Sequence, residues 1–352
     1  MKATDASICV IICTHNREEL VTDCLNSLIR QKGIKEPYSV LVVDNASTDG
    51  TSQTVMQFIE NNDFDRIKLI HEPRIGLSHA RNRGIRESDS RYLAFVDDDA
   101  RVPENWLAIA FEIIRQHEPD IFGGPARPVF SEGKPDWYKD DYGLRGDMGD
   151  SGFLTRGFIV GTNIFFKREL LKKYGGFDPN LGMSGSHIGY HEETKIIQRA
   201  FKERKKVYYS KQLAVEDLIP DYKKSLAFFI FSRYKSGKDR MILSGNDIQG
   251  GDPMDVLKQV DDLFMDFDNA LMNRDISRFK YPENYIVEKM RPAIVDLGKQ
   301  VALAMGSFPD DPKWENADPD RDSFHQMMRI MVNDLGFFKT LKLFFKTIFK
   351  RR

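Results

Sequence analysis

Short apolar runs alternate with amphipathic stretches over the first half of the chain, and the polar residues between them gather at one end of each run. Ser7 to Cys13 (SICVIIC) is β-branched and of strand length. Leu20, Val21, Cys24, Leu25, Leu28 and Ile29 then form one apolar stripe at helical spacing, with Asn16 and Glu19 placed as a capping box ahead of it. The plan repeats. Ser39 to Val43 predicts a strand and Thr51 to Glu60 a helix; Ile67 to His71 predicts a third strand, leading into a helix that carries Arg81 and Asn82. Tyr92 to Val96 (YLAFV) predicts a buried strand that stops abruptly at Asp97, Asp98 and Asp99. Strands and helices in this alternation predict an α/β fold on a doubly wound, mostly parallel sheet.

The pattern then loosens. A helix follows Pro103 to about His117, and Ser131 to Asp150 is a long stretch rich in Gly, Asp and Lys, of the kind that is more often functional than idle. Trp137 and Tyr138 inside it either stack on a sugar ring or anchor the loop. Phe158 to Phe166 predicts a strand and Arg168 to Tyr174 a helix; a glycine- and serine-rich turn, Gly182 to Gly189, precedes a helix opened by Glu192 and Glu193 with Ile196, Ile197, Ala200 and Phe201 on one face. From about residue 238 long helical segments are separated by Gly, Asp and Pro breaks. The predicted organisation is therefore a catalytic-type domain over residues 1–237 and a helical C-terminal region over 238–352.

Composition narrows the classes. The 352 residues carry 52 Lys plus Arg against 53 Asp plus Glu, so no overall field argues for nucleic acid as a partner. Cys9, Cys13 and Cys24 lack metal-ligand spacing and suit a reducing cytosol rather than a disulfide scaffold. Neither a secretory leader nor a membrane span is expected.

Polar clusters stand at the ends of successive predicted strands: Thr14 to Arg17, Asp44-Asn45, Arg81-Asn82 and Asp97 to Asp99. In a parallel sheet these ends line one crevice. An Asp there can bond a ring N–H or a ribose hydroxyl, an arginine can pair with phosphate, and Asp-bound Mg²⁺ or Mn²⁺ can bridge a diphosphate. The loop after the first strand lacks the glycine pattern of a dinucleotide fingerprint or a P-loop. Structural readings compete with these: Arg81 can pair with a surface acid such as Glu87, Glu192 and Glu193 can simply complement a helix dipole, and His15 and His191 suit hydrogen-bonded scaffold better than ligation.

The motifs VIICTHNRE, VLVVDNASTDGT, GLSHARNRG, FVDDDARVPENW, GTNIFFKRELLKKYGGFD and HEETKIIQRA, in this order, resemble those of the family-two glycosyltransferases, whose fold is called GT-A. The resemblance covers roughly residues 7 to 237. It implies an inverting transferase that takes a nucleotide-diphosphate sugar, usually UDP-linked, with Mn²⁺ or Mg²⁺ on an Asp-x-Asp motif. Carried over by residue, Thr14, Asn16, Arg17, Asp44 and Asn45 would meet the nucleotide, Arg81 the donor, Asp97 and Asp98 the ribose side, and Asp99 with Asp97 the metal. Glu193 would be the general base beside Glu192, where the family commonly has Glu-Asp. The family's Val-x-His-x-x-Pro becomes VEDLIP, which puts Asp217 where the family often has a His that contacts metal or diphosphate. The acceptor would be a glycan or lipid-linked glycan in cell-surface polysaccharide synthesis, and the stretch Ser131 to Asp150 would close over the reactants. A sugar-nucleotidyltransferase, or a non-catalytic nucleotide- or glycan-binding module on the same fold, are the alternatives.

The last turns, LGFFKTLKLFFKTIFKRR, gather Phe337, Phe338, Leu341, Phe344, Phe345 and Ile348 on one side of a helix and Lys339, Lys342, Lys346 and Lys350 on the other. Such a helix either packs on the core or lies in an anionic membrane surface, which would make the protein cytoplasmic and peripheral on the cytoplasmic face.

Overall fold

The structure, a computed structural model, describes residues 7–62, 64–131, 133–184, 189–244, 259, 262, 265–266, 269 and 278–305. The amphipathic stretch at the C-terminus lies outside these residues. The chain divides into two compact units, one formed by Met1–Ser131, Asp140–Gly185 and Glu192–Ile219, the other by Glu132–Lys139, Ser186–His191 and Pro220–Arg352.

The first unit is α/β. Its elements are β1 (Ile8–Thr14), α1 (Val21–Ile29), β2 (Tyr38–Asp44), α2 (Thr51–Asn61), β3 (Ile67–His71), α3 (Leu77–Glu87), β4 (Tyr92–Asp97), β5 (Ala100–Arg101) and α4 (Trp106–His117). There follow β6 (Ile121–Gly123), β7 (Ala126–Val129), α5 (Asp140–Gly143), β8 (Gly152–Leu154), β9 (Asn163–Lys167), α6 (Arg168–Tyr174), α7 (Glu192–Lys202), β10 (Val207–Tyr209) and β11 (Val215–Leu218). The large sheet runs β3-β2-β1-β4-β9-β6-β10-β8, and a small one runs β5-β11-β7. Neighbours from β3 to β4 are parallel, while β9 is antiparallel to both β4 and β6.

Period-two alternation sends side chains to two cores. Ile8, Val10, Ile12, Ala94 and Val96 face α1, α2 and α4 on one side. Cys9, Ile11, Leu93 and Phe95 face α3, α6 and α7 on the other. Both faces are covered, which is why these strands are almost wholly apolar. Helix α3 comes close to β1 at Gly84, where an added Cβ would lie 2.7 Å from Ile11 Cγ2.

Three local expectations change. Asn16 caps no helix: α1 begins at Val21 without a side-chain cap, and Asn16 is left-handed (φ 53°), with its carboxamide oxygen accepting from Thr48 N–H at 2.8 Å. The predicted strand Phe158 to Phe166 starts only at Asn163, because Gly157 (φ 108°) and the close approach of Gly161 to Arg81 break the run before it. The glycine-rich stretch 131–150 contains α5 and an isolated antiparallel bridge between Arg145 and Ala126.

In the second unit, α8 (Leu226–Ser244) packs on the helix Arg291–Met305, at a crossing where a Cβ on Gly237 would lie 2.0 Å from Val295 O. Tyr138 is buried and Trp137 O accepts from Asn284 Nδ2 at 2.6 Å. His191 Nε2 lies 3.1 Å from Ser236 O, a scaffold contact. Among the described residues no helix is long and apolar enough to cross a membrane.

Candidate active site

β1 lies between β2 and β4, so the chain order reverses across β1 and leaves a crevice at its carboxyl end. In register, Thr14 faces Asp44 on one side and Cys13 faces Asp97 on the other. The polar residues that follow these strands are thereby brought together.

On the β2 side they form a tied turn. Asp44 is buried; Oδ1 accepts from Ser47 N–H at 3.0 Å and Oδ2 from the Ser52 hydroxyl, with His71 Nδ1 at 3.4 Å. Burial works against its charge, yet the bonds from Ser47 and Ser52 hold its carboxyl below the ordinary value. Asn45 is buried as well: Nδ2 donates to Glu72 O and Arg74 O at 3.1 and 2.7 Å, and Oδ1 accepts from Gly76 N–H at 2.7 Å. Both side chains fix the turns that precede α2 and α3. His15 Nδ1 lies 2.7 Å from Asn45 O, and Arg17 N–H donates to Thr51 Oγ1 at 2.7 Å, so the loop after β1 is fastened to the loop after β2.

On the β4 side stands an acidic lip. Asp98 is buried, and burial together with Asp99 lifts its carboxyl to about 7, against the pull of Arg17, whose Nε is 4.0 Å from Oδ1. Asp97 Oδ2 accepts from the Thr162 hydroxyl. The backbone of Asp99 accepts from Leu218 N–H at 3.0 Å, and β11 pairs Asp217 with Ala100, so Asp217 reaches the same lip from the small sheet. Asp217 is 1% exposed. Its Oδ2 is 2.7 Å from Arg145 Nη2, and that nitrogen also donates to Thr162 Oγ1 at 3.0 Å.

Behind the lip, Arg81 projects from α3 with only 2% exposure. Nη1 donates to Glu192 Oε1 at 2.5 Å, while Nη2 is 3.5 Å from Asp97 Oδ1 and donates to Gly161 O at 3.3 Å. The guanidinium is also 5.6 and 5.2 Å from the ring centroids of Phe95 and Phe177. Surface pairing with Glu87 is taken by Arg83 instead, at 2.9 Å. Glu192 is buried in the first turn of α7 and Glu193 follows it, half-buried. Burial raises the Glu193 carboxyl well above the usual range, Glu192 adds to the rise, and Arg81 opposes it.

The structure thus joins Arg81, Asp97 and Glu192 in one cluster, links Asp97 to Asp217 through Thr162 and Arg145, and sets Arg17 beside Asp98. Asp44, Asn45 and Asn16 are drawn into the turn network. Arg145 and Thr162 went unnoticed in the sequence. The replacement of His by Asp217 was the available signal, since an extra buried carboxylate requires a cation nearby.

Comparison with known proteins gives the following. Residues 9–175 match the family described as Glycosyl transferase family 2. Glycosyltransferase AglE of Haloferax volcanii is 31% identical over 189 residues, 53% of this chain and 61% of that protein. The glucosyl-dolichyl phosphate glucuronosyltransferase of the same organism is 24% identical over 246 residues, 67% of this chain and 77% of that protein. The chain thus spans less than two thirds of AglE. In fold it is similar to the mannosyltransferase PcManGT of Pyrobaculum calidifontis, solved with GDP-Man and Mn²⁺, at TM-score 0.51 and 19% identity over 85% of this chain and 75% of that one.

Proposed function

We propose, from the match of residues 9–175 to the family described as Glycosyl transferase family 2, that the chain transfers a sugar, with inversion, from a nucleotide-diphosphate donor to an acceptor hydroxyl. The observation that carries the proposal is the Arg81–Glu192 bond, which seats α7 so that Glu193, a carboxylate of raised proton affinity, follows directly behind a fixed neighbour. A base works best when its pKa approaches the working pH.

In this reading Glu193 takes the proton of the acceptor hydroxyl as that oxygen bonds to the anomeric carbon. The bond from that carbon to the diphosphate breaks on the opposite face, and its electron pair leaves with the nucleoside diphosphate. Glu192 does not compete for the proton, because Arg81 occupies it. The loops after β1 and β2, tied through His15, Asn16 and Asn45, supply a stiff wall for the nucleotide.

The donor set suits a divalent cation. Mn²⁺ and Mg²⁺ take hard oxygen ligands, often one or two carboxylates completed by substrate phosphates. Asp99 and Asp97 would hold it, and the crowding that lifts Asp98 to about 7 marks an excess of negative charge that a cation relieves. Among the described residues no three such side chains form a ready cage, so donor phosphates would complete the shell. Bound there, the cation would neutralise the departing diphosphate. Asp217 is already held by Arg145 and stands behind these two as a ligand.

Thermal shift of the purified chain against a panel of UDP- and GDP-sugars, with Mn²⁺ and with chelator, tests the proposal. Metal-dependent stabilisation by one donor, followed by transfer or slow donor hydrolysis, supports it. Binding without any turnover would leave a nucleotide- or glycan-binding module. A lipid-linked acceptor in cell-surface polysaccharide synthesis is supported by the dolichyl phosphate substrate in the name of the second relative. It fits the basic amphipathic stretch at the C-terminus as an anchor on an anionic cytoplasmic leaflet. Flotation with anionic liposomes, comparing the full chain with one truncated after Asn333, tests that part; equal and negligible binding of both rejects it.

A further inference from the structure

The chain enters the Glu192-Glu193 pair through a strained step. His191, the residue before Glu192, is left-handed at φ 75°, a conformation that a residue with a Cβ keeps only where its surroundings hold it. The holding groups come from α8. Tyr190 N–H donates to Asp239 Oδ2 at 2.8 Å, and His191 Nε2 donates to Ser236 O at 3.1 Å, with Ser236 Oγ at the same distance. Ser236 and Asp239 stand three residues apart in α8 and so share one face of it. Asp239 is 4% exposed, which makes its carboxylate a fixed acceptor rather than a mobile surface charge. Between the two, Gly237 lets α8 approach the helix Arg291–Met305 so closely that an added Cβ would run into Val295 O, and α8 is thereby held in its turn. All these contacts lie within the second compact unit, and the chain leaves that unit directly into Glu192 and Glu193.

We propose that Asp239 and Ser236 are positioning residues for the transfer step: they fix the main chain at Tyr190 and His191, and with it the direction in which α7 starts and the place of the Glu193 carboxylate. The inference rests on the reading of Glu193 as the base. Arg81 anchors the side chain of Glu192, which is one constraint on the first turn of α7. The backbone that enters the helix needs a second, because a first-turn side chain points where the helix axis sends it. The reach of a base leaves little room, since a displacement of about 1 Å can cost about a hundredfold in rate. Neither Ser236 nor Asp239 falls within residues 9–175, so this anchor comes from the helical region beyond the part that matches the family.

The test compares the full chain with Asp239→Ala, Asp239→Asn, His191→Gly and Glu193→Gln. Amide hydrogen exchange reads the main chain at Tyr190, calorimetry with UDP in Mn²⁺ reads the donor site, and release of UDP or GDP from a panel of UDP- and GDP-sugars reads turnover. Asp239→Ala should lose exchange protection at Tyr190 and about ten- to a hundredfold in turnover, with UDP affinity unchanged. Asp239→Asn keeps an oxygen that accepts from Tyr190 N–H and should stay close to the unmodified chain in both. Equal damage in the two assigns the effect to the charge of Asp239 and overturns the inference. So does a parallel fall of turnover, UDP affinity and melting temperature in Asp239→Ala, which is what a merely structural aspartate would give. Where Asp239→Ala does not fold, His191→Gly decides, because glycine takes φ 75° without strain and the change removes the bond to Ser236 while leaving the sequence of α8 untouched. It should lose turnover at unchanged UDP affinity, and normal turnover there overturns the inference. A dead Glu193→Gln beside a fully active Asp239→Ala overturns the inference alone. A fully active Glu193→Gln, or an unmodified chain that releases neither nucleotide, overturns the base reading and the inference with it.

Discussion

Arg81 on α3 and Glu192 at the start of α7, 111 residues apart in sequence, are joined by a 2.5 Å hydrogen bond between two buried charged groups. The bond ties α3 to α7, the helix that carries the candidate base. A buried pair of this kind is weak evidence for net stability, but removal of one partner strands the other's charge and costs about 3–5 kcal/mol. Arg81→Met should therefore lower unfolding free energy by roughly that amount, measured by urea denaturation. Glu192→Gln should cost less, because Arg81 keeps Asp97 at 3.5 Å and the Gly161 carbonyl at 3.3 Å. Equal and small losses in both variants would show that the pair does not hold α7.

Glu193 gives a prediction in which stability and rate move in opposite directions. Its folded pKa is raised above the ordinary 4.5, so the folded state prefers the protonated form. The stability this preference adds is complete below the unfolded value and is lost as pH rises through the folded one. Above the ordinary carboxylate range the group therefore costs the folded state stability, and at neutral pH Glu193→Gln should melt at a higher temperature than the unmodified chain. The same variant should lose about a hundred- to ten-thousand-fold in turnover with donor binding intact. In the unmodified chain, activity should fall on the acid side at a pH above the normal carboxylate range. An active Glu193→Gln beside a dead Glu192→Gln would reverse the two roles.

The sheet was legible because its strands are buried on both faces. SICVIIC, VLVV and YLAFV can hardly be anything else when each ends in polar residues, and α1, α2 and α3 followed from the intervening helical stripes. What the sequence did not reveal were contacts that span it. Asn16 and Glu19 have capping-box spacing, yet Asn16 bonds the loop 32 residues ahead, since Thr48 N–H offers a better partner than a helix that has not yet begun. Arg81 had phosphate and surface acid as its plausible partners, and only the folded chain shows Glu192 in that place. Arg145 was hidden in a glycine-rich stretch where nothing local distinguishes an anchoring arginine from a solvated one.

Glu72 predicts the acid limit of this unit. Hydrogen bonds from Arg74 hold its carboxyl down to about 2, with Arg86 adding to the effect, while burial opposes it. Because the folded value lies below the unfolded 4.5, the contribution is present above about pH 4.5 and is lost as pH falls towards 2. Glu72 is 2% exposed, but Arg74 and Arg86 are more than half exposed, at 59% and 53% of the side chain, so screening trims the effect to on the order of 2 kcal/mol. Glu72→Gln should lower the melting temperature at pH 7 and flatten its decline between pH 5 and pH 3. Parallel curves for the two proteins over that range would remove Glu72 from the account.

Asp99 provides the test of the metal reading. It is the last carboxylate after β4, its main chain is pinned by Leu218 N–H, and its side chain is only partly buried, unlike that of Asp98. A cation that completes its shell with donor phosphates needs a ligand whose main chain is fixed in this way. Asp99→Asn keeps the size of the side chain and the hydrogen bond of the main chain, so the fold should be retained. UDP affinity in Mn²⁺ should then fall to the level found in chelator, while the affinity in chelator itself stays as it was. Asp98→Asn should behave differently, because Asp98 lies buried beside Arg17 and Thr14 and burial together with Asp99 lifts its carboxyl to about 7, which makes it a poorer anion for a metal than an ordinary carboxylate. That variant should keep the difference between Mn²⁺ and chelator. Isothermal titration of both variants with UDP, in each buffer, separates the two positions: a metal-dependent gain that survives Asp99→Asn and disappears in Asp98→Asn would move the cation to Asp98.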